Sequence, residues 1–265
     1  MKASSEETWT TIIKPRNKLF EVNLKEIWDY RDLLTLFVKR DIITQYKQTI
    51  LGPLWFIIQP ALTVIMYMVV FGGIAGIPTD GVPQPLFYLG GICMWQYFAD
   101  CLKTSNTFVA NSGIFGKVYF PRLIMPLSNT ISNLVRFGIQ VGLFMVVYIF
   151  YAIKGTAACP NWYLLLFPIL VVMMAGLALG FGIIISSMTT KYRDLTILFS
   201  FIVQLWMYAT PIVYPLSQVR GKEMLGINVY NVMCINPVTP VIETFKYGAL
   251  GAGEFIGWGW LAYSF

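Results

Sequence analysis

The sequence predicts an all-α, polytopic membrane protein: six transmembrane helices, the sixth incomplete, preceded by a cytoplasmic amphipathic interfacial helix. Three observations carry that prediction. Of the 265 residues, 57% are hydrophobic and 12% charged, where a soluble domain carries about a quarter charged. The apolar residues come in long unbroken runs, whereas a transmembrane barrel needs short alternating segments. The basic residues are also sorted unevenly between the connections. The mean hydropathy of +0.64 agrees with the first observation. Disorder is excluded by the apolar content, and a disulfide scaffold by four cysteines in a chain of this length. With no histidine, His-ligated zinc chemistry and every triad built on imidazole are excluded as well.

The chain divides into an N-terminal segment, 1–53, and a transmembrane domain, 54–265. No cleavable signal peptide is expected, because the first 53 residues lack an uninterrupted apolar core. Residues 25–50 repeat Ile27, Tyr30, Leu34, Val38, Ile42, Tyr46 and Ile50 at three- or four-residue steps. That pattern is an apolar stripe on a helix lying at the membrane surface, with a soluble cap helix packed on another element as the alternative. Gly52-Pro53 breaks it and turns the chain into the first span.

A spanning helix needs about 20 mostly apolar residues. Segments 54–77, 86–102, 123–151, 162–188 and 195–214 meet or approach this. The second is short and bears Asp100 near its end, and the third carries Arg136. The run 255–265 reaches about 17 Å at 1.5 Å per residue. It reads as the start of a sixth helix, with a re-entrant or interfacial end as the alternative. Between spans five and six, 215–254 is long enough to hold short re-entrant helices packed within protein. Fourteen of the nineteen Lys and Arg fall on the side of the N-terminus and four on the other, which places the N-terminus in the cytoplasm. The net charge of +6 belongs to this asymmetry; no nucleic-acid module accompanies it. The cysteines are read as unpaired thiols.

Polar residues inside apolar runs are the candidate functional groups. Arg136, near the middle of the third span, costs about 2.5–3.5 kcal/mol on insertion scales and must face protein or water. It is either an anion or lipid-headgroup contact on a transport path or a structural partner of a carboxylate such as Asp100. In the first span Phe56, Gln59, Thr63, Tyr67 and Phe71 share one helical face. In the fifth, Ser200, Gln204 and Tyr208 do the same, followed by Pro211. Aromatic rings and amides suit a sugar chain, so both stripes are candidates for a channel lining; helix packing is the alternative. The connection 106–126 would expose Ile114, Phe115, Val118, Tyr119 and Phe120, rimmed by Lys117 and Arg122. Such a patch suggests docking of another protein, with membrane anchoring as the alternative.

No nucleotide site is encoded. Gly116-Lys117 lacks the phosphate loop's first Gly (Asn111) and its Ser/Thr (Val118), and Gly221-Lys222 fails likewise with Leu216 and Glu223. Any ATP and Mg would belong to another chain.

Four motifs resemble one family. RDLLTLFVKRDIITQYKQTILGPLWFIIQP (31–60), GKVYFPRLIMP (116–126), KYRDL (191–195) and NPVTPVIETFKYG (236–248) resemble, in order, segments of the polysaccharide-exporting ABC-2 permeases. The likeness is strongest to the membrane subunits of O-antigen exporters. The resemblance implies a homodimer working with two copies of a cytoplasmic ATP-binding subunit. It implies export of undecaprenyl-diphosphate-linked polysaccharide across the bacterial inner membrane, through a channel lined by spans one and five. It also implies ATPase coupling through 25–50 and 106–122, and through Arg40, Arg193 and Asp194. Capsular polysaccharide or teichoic acid export is the nearest alternative. A membrane enzyme on lipid-linked sugars lacks an acid/base constellation, and an ion-coupled carrier lacks a titratable group at the midplane.

Overall fold

A computed structural model describes residues 24–47, 49–102, 113, 119–156, 159–192, 194–224 and 226–265. The described chain is mostly helical: α1 (Leu24–Asp29), α2 (Arg31–Tyr46), α3 (Trp55–Tyr67), α4 (Gln84–Leu102), α5 (Ile124–Ile153), α6 (Phe167–Lys191), α7 (Leu195–Tyr208), α8 (Val229–Ile235), α9 (Val238–Leu250) and α10 (Trp258–Tyr263). A two-residue hairpin, Glu223–Met224 with Ile227–Asn228, precedes α8.

Among the described residues, three helical stretches are long and apolar enough to cross a membrane: Gly52–Ile74, Ile124–Ile153 and Trp162–Lys191. Large side chains such as Leu62, Ile65, Val146, Phe150 and Val172 stand exposed on them. That is where lipid replaces water as the solvent. This is a multi-pass membrane protein.

The first of these stretches begins at Gly52, whose φ of +52° suits glycine, and Pro53 at the start of the helical turn. Pro60 sits buried inside α3, and the helix widens to a π-turn over Met68–Ile74. Both loosen a helix that a regular backbone would hold straight.

At the centre stands α4, with 16 of its 19 residues buried. It packs against α3, α5, α6 and α9. A helix so predominantly apolar belongs inside, and at about 28 Å it has the length of a span. Gly90 and Gly91 let neighbours approach: a methyl group on Gly91 would lie 3.0 Å from Ile212 and 3.2 Å from Lys246.

The fifth expected span, 195–214, is helical only to Tyr208. The Thr210 hydroxyl bonds back to the Trp206 carbonyl at 2.9 Å, and Pro211 has no N–H to continue the ladder. α7 alone is therefore about 21 Å long, shorter than expected. The expected start of a sixth span is the six-residue α10.

The expected interfacial helix is two helices, broken at Tyr30, and its buried seam differs from the stripe read in the sequence. Phe37 is its most buried residue, with Tyr30, Leu33 and Leu34 beside it. Ile50 and Leu36 face outward and Val38 is half-buried. The seam 30/33/34/37 is a proper i, i+3, i+4, i+7 face. It is chosen by its partner: Phe120, Ile124 and Met125 at the start of α5.

The connection between α7 and α10 has its own structure. α9 is almost wholly buried, consistent with short helices enclosed by protein. Its Gly248 lies against the turn Trp162–Leu166, where a methyl group would come within 2.8 Å of the Leu164 backbone nitrogen. Gly248→Ala is expected to lose about 1–3 kcal/mol through backbone displacement. The thermal midpoint of the purified protein measures this, and Gly138→Ala, with open space at its Cβ, is the control. The four cysteines form no disulfide, and Cys93, Cys101 and Cys234 are buried.

Candidate functional site

A cleft of about 50 Å³ opens between α3, α4, α5 and α7. It has room for a few water molecules. The three- and four-residue spacing on α3 points Phe56, Gln59, Thr63 and Tyr67 into it, as the sequence stripe predicts. Trp95 and Gln96 enter from α4, Arg136 and Gln140 from α5, and Met207 from α7. Phe71 lies a turn beyond, its ring centroid 5.3 Å from that of Tyr67. The Tyr67 hydroxyl lies 3.6 Å from the Met207 sulfur and joins α3 to α7.

The other stripe does not reach this cleft. Ser200, Gln204 and Tyr208 are exposed. The inward face of α7 is instead Phe199, Val203, Trp206 and Met207. Trp206 decides the rotation: its ring lies 5.3 Å from both Phe98 and Phe181, and its indole N–H donates to Asn236 at 2.9 Å. Burying that large ring outweighs burying a hydroxyl and an amide. The Ser200 hydroxyl is satisfied by its own helix, through the Ile197 carbonyl at 2.7 Å.

Arg136 forms an ion pair with Asp100, its Nη1 2.6 Å from Oδ2. The other carboxylate oxygen accepts from Gln96 Nε2 at 2.9 Å. Nη2 of Arg136 donates to Gln45 Oε1 at 3.3 Å, and its guanidinium carbon stands 4.8 Å from the Phe56 ring centre. This pair with Asp100 is one of the two alternatives read from the sequence. Gln45, Gln96 and Gln140 escaped the sequence reading. The i, i+4 spacing of Gln96 with Asp100, and of Arg136 with Gln140, was the available signal.

The expected docking residues separate. Tyr119 and Arg122 are exposed, but Phe120 is 4% exposed and seated on Phe37, ring centroids 5.7 Å apart. Expected on an open patch, it anchors α2 instead, because an aromatic ring gains more from another apolar surface than from water. Arg40 pairs with Asp41 at 2.8 Å and lies 4.8 Å over Phe37. Asp194 is exposed just before α7. Ile114, Phe115, Lys117 and Arg193 lie outside the described residues.

A second charged pair, unmarked by the sequence reading, sits at the other end of α4. Glu243 and Lys246 on α9 are each 1% exposed and 3.4 Å apart. Lys246 Nζ also donates to the Pro211 carbonyl at 2.5 Å and lies 4.0 Å over Phe87. Burial pushes the Glu243 carboxyl up and the Lys246 amine down from their ordinary values, each opposed by the partner's charge. Asn236 reinforces the tie, donating to the Thr210 hydroxyl at 2.9 Å while its carbonyl receives the Trp206 N–H. The end of α7 is thus fixed to α9 by side chains.

Residues 32–250 match the ABC-2 type transporter family. The chain belongs to that family. Among its relatives is an O-antigen export system permease protein RfbA of Myxococcus xanthus, 25% identical over 225 residues, or 84% of this chain and 82% of the relative. Two proteins of the same name from Klebsiella pneumoniae are 29% and 28% identical, covering 83% and 81% of this chain and 82% and 79% of their own lengths. As an ABC-2 transporter subunit, the chain is a transport component rather than an enzyme. The match begins inside α2 and ends with α9, so it takes in the cleft, the Arg136 pair and the Lys246 pair.

Proposed function

We propose that this chain is the membrane permease of an ATP-driven exporter of O-antigen-type, lipid-linked polysaccharide in the bacterial inner membrane. The observation that carries this is the α3 stripe. In a transporter subunit whose first apolar helix is otherwise studded with Leu, Ile and Met, one face presents Gln, Thr and Tyr to an internal cleft. The names of the relatives add the class of cargo. Two copies of the chain would work with two copies of an ATP-binding subunit that holds ATP and Mg. The N-terminus, with α2, lies on the cytoplasmic side. α3 and α7 carry much exposed apolar surface in the single chain, which suits helices that meet lipid on one side and a second copy on the other. The polymer, attached to undecaprenyl diphosphate, would pass where α3 of each copy faces the path. The few-water cleft would be the closed state of that path.

The test is reconstitution with the ATP-binding partner, followed by the appearance of lipid-linked polysaccharide on the far side of the membrane. Gln59→Ala is expected to slow export about fivefold, the effect of one lost hydrogen bond worth about 1 kcal/mol, while ATP hydrolysis continues. Tyr67→Ala is expected to slow long polymers more than short ones. Wild-type rates for both variants would assign the stripe to helix packing.

A further inference from the structure

Four elements meet at one guanidinium, and we propose that Arg136 is a positioning relay that carries the movement of α2 to the first span. The inference rests on the exporter reading above, in which an ATP-binding partner moves α2. Asp100 is the fixed point. It belongs to the nearly wholly buried α4 and is braced by Gln96 one turn earlier. Arg136 is held against it at 2.6 Å. From that anchor the planar fork reaches in two directions: Nη2 to Gln45 in the last turn of α2, and its face to Phe56 in the first turn of α3.

Between Gln45 and Phe56 the backbone turns through Gly52, at a φ of +52°, and Pro53. A backbone link of this kind transmits tilt poorly. The side-chain bridge crosses the bend directly, and a guanidinium suits the task because its donors are fixed in one plane. Arginine is therefore not interchangeable with lysine here. The bridge also ends on the face of α3 that lines the cleft: Phe56 begins the stripe that continues through Gln59, Thr63 and Tyr67. With Asp100 opposite it, the Arg136 pair carries no net charge, which fits a joint better than a landing site for an anion.

The experiment uses the complete complex with its ATP-binding partner in proteoliposomes. Gln45→Ala removes one arm and leaves the Asp100 pair intact. Arg136→Lys keeps the charge but loses the fork and the flat face. Spin labels at exposed Thr35 of α2 and exposed Ile74 of the first span report whether the two helices move together. In the wild type the distance should stay the same between the ATP-bound and ATP-free states. In both variants it should shift between those states by more than the wild-type distribution is wide. Export should fall about fivefold or more, the range of a typical coupling energy, with ATP hydrolysis unchanged. A wild-type complex that exports no polysaccharide would sink the exporter reading itself. Given a working wild type, normal export by Gln45→Ala, or lost export with an unshifted label distance, would overturn the relay.

Discussion

Replacing Lys246 by Met is expected to destabilise the protein by about 3–5 kcal/mol, the cost of stripping one partner from a buried ion pair. Glu243 is 1% exposed, and its Oε2 has no hydrogen-bond partner among the described residues. Without the ammonium, the carboxyl must either take up a proton or sit charged in apolar surroundings. The Pro211 carbonyl loses its donor at the same time. The double variant Glu243→Leu/Lys246→Met should recover part of the loss, because an apolar pair of similar volume removes the stranded charge. It should not recover all of it, since Pro211 and Ile212 still lack the ammonium that reaches both carbonyls. Thermal midpoints of the wild type, both single variants and the double variant form the cycle that measures this. A Lys246→Met protein as stable as wild type would mean that the pair is no latch.

The second large effect concerns Phe120. Phe120→Ala is expected to remove about 3–5 kcal/mol from the contact that seats α2, because its ring fills the space between Phe37, Ile124 and Met125. The consequence should be local. Hydrogen exchange across residues 31–46 should accelerate while α4 and α5 keep their protection. Phe37→Ala should give the same pattern, and the two together should cost less than the sum, since they remove the same contact. Undiminished protection of α2 in either variant would show that the helix is held elsewhere. Arg40, stacked on Phe37, should gain mobility with it.

These two sites show unequal legibility. The α3 stripe could be read because its lining residues lie on one helix, where spacing alone fixes a shared face. The Arg136–Asp100 pair could be named from the sequence as one of two alternatives, but whether residues 36 positions apart would meet depended on how α4 and α5 pack. Phe120 was misread in its exposure, because an aromatic residue in a loop gives no sign of the helix it will meet. Glu243 and Lys246 passed unnoticed, although a charged i, i+3 pair in an apolar segment was a visible signal.

The sequence by itself determined the solvent this protein lives in, its helical backbone, its apolar segments in order and the motifs of its family. Those follow from composition and local periodicity, which need no neighbour to be read. Tertiary structure decided which face of each helix turns inward. On α7 the polar face was as regular as the apolar one, yet Trp206 won the interior by finding Phe98, Phe181 and Asn236. On α2 the seam fell on Phe37 because Phe120 stood opposite. Periodicity gives a helix its possible faces; the surface available to bury against, known only once the other helices are in place, selects among them.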